Sequence, residues 1–178
     1  ACEALLERGR LAHFNIANWA RQLLPLARRH GLTVACDLQD VIDGGDPYRH
    51  DFVQASDILF FSAANHGDPA PLMRGFLDRN PGQLVVSGMG AQGCALGTRD
   101  GIHFFPPVDW TEPVVDTNGA GDALAVGFLA SYVLGGYSLE DSVLRGQIAA
   151  RHTCSQRATT DTLITSGELD RRYEALKR

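Results

Sequence analysis

Seven consecutive residues, Asp116-Thr117-Asn118-Gly119-Ala120-Gly121-Asp122, set two carboxylates around a loop of small residues. The loop opens directly into an apolar, alanine-rich run from Ala123 to Leu134, which reads as a buried helix. Small side chains let the backbone come close to a ligand. The first turn of a helix offers unpaired N–H groups and a partial positive charge, so together these features make an anion site. An acid one residue past such a site repels anions, and anion binding alone does not explain Asp122. A base that takes the proton from an attacking hydroxyl, beside N–H groups that stabilise charge on a phosphate, does explain it. Ordinary helix capping is the competing reading, since Asp and Asn are common just before helices.

A second glycine cluster, Gly88-Met89-Gly90-Ala91-Gln92-Gly93, satisfies G-x-G-x-x-G and follows the strand-like run 84–87. The dinucleotide fingerprint requires a helix to open at its third glycine. Here Cys94–Thr98 and Ile102–Phe105 instead flank Arg99-Asp100-Gly101, where Asp-Gly signals a hairpin. A nicotinamide-dependent oxidoreductase therefore fails its own structural condition. No G-x-x-x-x-G-K-[ST] run is present, which excludes a P-loop kinase.

The heptapeptide resembles the D-T-x-G-A-G-D signature of the PfkB (ribokinase-like) carbohydrate kinases, and the order of elements from Leu11 to Cys154 is similar to theirs. The resemblance implies an α/β fold of the ribokinase-like three-layer α/β/α kind, with a mostly parallel sheet. Residues 1–178 would be the C-terminal part of a single kinase domain, with the N-terminal portion and lid absent. The implied activity is ATP-dependent phosphorylation of a hydroxymethyl group on a small sugar or nucleoside, with Mg2+ accompanying ATP. Asp122 would be the general base, and the N–H groups of Gly119, Ala120 and Gly121 the anion hole. Gly90, Ala91, Gln92 and Gly93 match the nucleotide loop, and Gly88, Gly121 and Gln147 complete the implied nucleotide contacts. Asp116 with the Asn118 carbonyl resembles a monovalent-cation site, which would take K+; capping by Asp116 is the other reading. Gly146 is either a nucleotide neighbour or a helix-packing residue.

This chain departs from the family pattern at three places. Gly88 stands where threonine is common. Ser62-Ala63-Ala64-Asn65 stands where many members carry Asn-x-x-Glu, although the ketohexokinase-like branch also tends to have Ser there. In Asp37-Leu38-Gln39-Asp40 only Asp37 fits an Asp-Pro-Asn-x-Arg-like segment, and it reads as a loop cap ahead of a ligand. A non-catalytic nucleotide- or sugar-binding remnant of the same fold is the alternative function. The intact Asp122 speaks against it, because a pure binder has no use for a carboxylate beside a phosphate.

Composition sets the outer bounds. A chain of 178 residues and 19.3 kDa suits one domain with a sizeable core. A net charge of -5 gives no basic surface for nucleic acid. No apolar run reaches membrane-spanning length, and the first residues lack a signal-peptide layout. Cys2, Cys36, Cys94 and Cys154 are scattered and read as reduced thiols, and the histidines show no zinc spacing. These features, with the resemblance, imply a cytoplasmic enzyme acting on a small molecule, and a homodimer where a lid is present. The chain begins with Ala1 and its methionines are Met73 and Met89, which reads as a sequence lacking its N-terminal portion.

The elements that must position these residues alternate between strand and helix. Strands are expected at 11–16, 32–37, 58–61 and 84–87, followed by the hairpin. Helices are expected from Asn18 to about Arg29, from Asp68-Pro69 through Leu77, from Ala120 to Leu134, from Ser138 to about Cys154 and from Ser166 to about Leu176, with a short turn at 52–55. Pro25 either kinks the first of these or marks a later start. Ser138 with Asp141 approaches a capping box; Ser166 with Leu169 does not.

Overall fold

Each apolar run ahead of a turn signal becomes a strand in the computed structural model, which describes residues 2–41, 43–65, 67–157 and 163–177. Strands β1 (Leu11–Asn15), β2 (Thr33–Asp40), β3 (Ile58–Ser62) and β4 (Leu84–Gly88) lie side by side and parallel. Strands β5 (Cys94–Thr98) and β6 (Gly101–Phe105) add an antiparallel hairpin, giving the order β1-β2-β3-β4-β5-β6 with β6 at one edge. Parallel neighbours need crossovers. These are supplied by helices α2 (Leu24–Arg29), α3 (His50–Ala55) and α4 (Ala70–Arg79), after a short α1 (Cys2–Leu6).

The chain divides into two compact units, Ala1–Phe105 and Pro106–Arg178. The core of the first is apolar: Phe14, Val34, Leu38, Leu59 and Phe61 from one sheet face meet Phe52, Met73 and Phe76 from the helices. Phe61 and Phe76 pack edge to face at 5.6 Å. The alternate strand residues Ala35, Ile58, Phe60, Val86 and Leu96 are buried as well. Burial on both faces is the mark of a parallel sheet, and it explains why these strands read as continuous apolar runs.

Local chemistry moved several boundaries. Pro25 marks a later start: a 3-10 turn spans Ala20–Leu23, and α2 begins at Leu24 with the proline in its first turn, where the missing N–H costs nothing. Strand β2 runs past Asp37 through a register shift between Asp37 and Asp40. Gln39 there has φ 60, a left-handed conformation unusual for a residue with a side chain.

The second unit is helical. Helix α5 (Ala120–Leu129) gives way to a π-helical turn at Ala130–Leu134, so the expected single helix is interrupted. Ser131 Oγ donates to the Gly127 carbonyl at 2.7 Å at this break. Helix α6 (Leu139–Cys154) starts at Ser138, whose Oγ accepts the Asp141 N–H at 3.1 Å. Helix α7 (Ser166–Leu176) is capped one residue earlier than expected: Thr165 Oγ1 accepts the Glu168 N–H at 3.2 Å, so Thr165-Ser166-Gly167-Glu168 has the capping-box sequence. Helices α5 and α6 approach closely because Gly127 faces Gly146. A Cβ on Gly146 would lie 2.8 Å from the Leu124 carbonyl oxygen, and one on Gly127 would lie 2.9 Å from Ala149 Cβ. Among the described residues no helix is long and apolar enough to cross a membrane.

Candidate active site

The signature forms the loop that launches α5. Asp116 Oδ1 accepts the Asn118 N–H at 3.0 Å, a local turn that matches the capping reading of Asp116. The N–H groups of Val115 and Asp116 both donate to the Cys154 carbonyl, at 2.8 and 3.2 Å, which ties the loop to the last carbonyls of α6. Gly119 caps α5 with φ 75, a conformation that costs glycine nothing. The Ala120 N–H donates to the Thr117 carbonyl at 3.2 Å and the Ala123 N–H to the Gly119 carbonyl at 2.9 Å. Among the described residues the N–H groups of Gly119, Gly121 and Asp122 have no backbone acceptor. A Cβ built on Gly121 meets nothing within 4 Å, so no packing contact explains a glycine in this first turn. Asp122 follows, exposed, on the same turn.

The glycine loop of the first unit follows β4 as a 3-10 turn over Gly90–Gln92, and the hairpin comes next, as expected. Gly90 and Gly93 have φ 58 and 93. The Met89 N–H donates to the Gly93 carbonyl at 2.9 Å and the Gln92 N–H to the Met89 carbonyl at 3.1 Å, closing a compact loop. Gly90, Ala91 and Gln92 are exposed at its tip. Gly88 remains in the sheet, opposite Ser62 and Cys94. Asp37 Oδ1 accepts the Gln39 N–H at 2.7 Å, the local cap expected of it.

A cleft of about 560 Å³ runs from Gly119 and Asp122 along α5, past Ala123, Val126 and Ala130, to Arg145 and Asp170. Its α6 wall is made by Arg145, Ala149 and Thr153. Gln147 is not among the lining residues and is 8% exposed. Gly146 has a packing role, since its missing side chain is what allows α5 and α6 to meet.

Arg145 gave no signal in the sequence, because an arginine on an amphipathic helix ordinarily reads as surface. It is 5% exposed. Its Nε donates to Ser131 Oγ at 2.8 Å, one terminal nitrogen donates to Asp170 Oδ1 at 2.7 Å, and the guanidinium lies over Tyr137 and Tyr173 at 4.3 and 5.1 Å. A buried charge survives only with such compensation. The other terminal nitrogen has no partner among the described residues.

Those residues include no cluster of three or more His, Cys, Asp or Glu able to hold a metal ion. Burial pushes the Cys36 and Cys94 thiols up to about 12, so neither is a nucleophile at neutral pH.

A sequence model described as pfkB family carbohydrate kinase matches residues 52–166, well over half of the chain. The chain belongs to this family. It is 35% identical over 142 residues to acarbose 7(IV)-phosphotransferase of Actinoplanes sp., covering 79% of this chain and 45% of that protein. It is 28% identical over 144 residues to fructoselysine 6-kinase of Escherichia coli K12, covering 80% of this chain and 53% of that enzyme. The chain thus spans about half the length of the curated relatives it matches. Among solved structures, a microbiome-derived acarbose kinase superposes with a TM-score of 0.87 at 30% identity, over 96% of this chain and 58% of that one. The ribokinase-like α/β fold with a mostly parallel sheet, expected from the signature, is the fold found. Helix α7 lies almost wholly beyond the family match.

Proposed function

We propose that the chain is the C-terminal part of an ATP-dependent carbohydrate kinase. Asp122 accepts the proton of a sugar hydroxymethyl group, and the N–H groups at the start of α5 stabilise the charge on the transferring phosphoryl. The family is described as one of carbohydrate kinases, which favours a sugar over a nucleoside. One observation carries the reading. Gly121 has open space where a side chain would be, directly before an exposed acid on the first turn of a helix. Capping alone requires neither the gap nor the acid.

ATP supplies the phosphoryl group when bound. The start of α5 fits its phosphate, since Gly119, Ala120 and Gly121 are small and the N–H groups of Gly119 and Gly121 have no backbone acceptor among the described residues. Gly90 and Ala91 are assigned to the nucleotide by the family resemblance. Gly93 closes their loop, and Gln147 is likewise assigned to the nucleotide by the family resemblance. Mg2+ bound with ATP would neutralise the phosphates while keeping most of its water ligands. Asp116 and the Asn118 carbonyl remain the proposed place for K+.

The test pairs two substitutions in the longest natural form of the protein. Gly121→Val should abolish binding of a non-hydrolysable ATP analogue by calorimetry while Tm holds or rises, since valine outranks glycine in helices. Asp122→Asn should leave that binding intact and lower turnover about 10²–10⁴-fold. Turnover unchanged in Asp122→Asn would refute the base assignment. Binding unchanged in Gly121→Val would remove the phosphate from this helix and favour a binding remnant whose ligand sits elsewhere.

A further inference from the structure

The loop that leads into the signature is held by residues outside the heptapeptide. Arg172 on α7 donates through one terminal nitrogen to Glu112 Oε1 at 3.0 Å and through Nε to Glu168 Oε1 at 2.5 Å. Its guanidinium lies 4.1 Å from the centre of the Trp110 ring. The Glu112 carbonyl accepts from Arg151 of α6 at 2.5 Å, and the other Glu112 carboxylate oxygen accepts from Thr111 at 3.2 Å. Three residues later the chain reaches Val115 and Asp116, whose N–H groups share the Cys154 carbonyl. From Trp110 to Asp116 the loop is thus gripped in turn by stacking, by ion pairing and by a helix end.

We propose that Arg172 and Glu112 form a clamp through which α7 positions the signature loop, with Arg172 as a positioning residue. Arg172 lies beyond the family match, which ends at 166. The geometry suits arginine: its planar fork reaches two carboxylates while its face rests on an indole, and a lysine cannot do all three. An isolated exposed ion pair is worth little. This one joins two acids, an aromatic ring and, through Glu112, a second arginine, so its contribution is local order in the loop. That the loop's order matters to phosphoryl transfer rests on the functional reading above; the clamp itself does not.

Amide hydrogen exchange by NMR tests the clamp without any nucleotide. In Arg172→Met and in Glu112→Gln, exchange of the Val115, Asp116, Asn118 and Ala120 amides should quicken about five- to tenfold, the size of a lost networked pair. The interior amides of α5, from Leu124 to Phe128, should be unchanged. The double variant should be no faster than the singles, and Arg172→Lys should recover only part of the protection. Unchanged loop amides would overturn the proposal. So would a uniform rise across α5, α6 and α7, which would mean a merely structural role, or additive effects of the two substitutions. Failure of ATP-analogue binding with the loop amides behaving as stated would sink the kinase reading and leave the clamp standing.

Discussion

The two compact units are stabilised in contrasting ways. The first rests on an apolar core of Phe14, Leu38, Leu59, Phe61, Met73 and Phe76, with one buried polar knot where Gln83 Nε2 donates to Val53 and Ser56. The second has an apolar cluster around Ile148, Leu169 and Tyr173, and it also buries Leu124, Phe128, Leu129 and Val143. Around that cluster it relies on two glycines that let helices touch, a buried arginine between two tyrosines, and the Arg172 clamp. Area burial is tolerant of small displacements, whereas hydrogen bonds and ion pairs are directional. The unit bearing the proposed catalytic acid therefore adds to its burial a buried arginine and a networked ion pair, both of them directional.

The comparison predicts a graded set of responses. Phe76→Ala, at 1% exposure in the first unit, should lower stability by about 3–5 kcal/mol in urea unfolding, through lost transfer energy and a cavity. A cost below about 1 kcal/mol would show that this core collapses around the gap and is not the main source of stability. Gly146→Ala should cost about 1–3 kcal/mol, because the methyl group meets the Leu124 carbonyl oxygen and the backbone of α5 must shift. Gly121→Ala, with the same added methyl group in open space, should instead be neutral or slightly stabilising by the same measurement. Equal effects at the two glycines would erase the distinction between a packing glycine and one with open space beside it.

The smallest effect is a pH response confined to the second unit. The hydrogen bonds from Arg172 hold Glu112 and Glu168 below the ordinary carboxylate value of 4.5. Lowered carboxylates contribute fully above that value, and the contribution is lost as pH falls through the lower, folded one. Trp110 emission, read in a Trp19→Phe background, should therefore change at a pH below 4.5, and Arg172→Met should move the change upward. A transition that ignores Arg172 would leave the stacking without electrostatic support.

Much of this architecture was legible in the sequence. Apolar runs between turn signals gave all four parallel strands, and Asp100-Gly101 gave the hairpin. The signature stood out because small residues, an acid and an apolar helix are rarely consecutive for structural reasons alone. What escaped had no local signal. Gln39 adopts φ 60 at a strand irregularity, which pattern cannot distinguish from a strand end. The π-helical turn begins at Ala130, inside a run that looks uniformly helical. Thr165 is hidden as a cap by Ser166, an equally good capping type that follows it. Arg145, Glu112 and Arg172 are charged residues whose partners lie 25, 60 and 60 positions away along the chain, a spacing that periodicity does not reach.

The hairpin at the end of the sheet has a practical consequence at the bench. Strand β6 presents one side of its backbone to no other strand among the described residues, and Phe104 on it is 53% exposed. An unpaired strand edge with an exposed aromatic is a template on which further chains can add. Purified material concentrated for crystallography would be prone to cloud by this route, and a lysine in place of Phe104 is the change that would keep it clear.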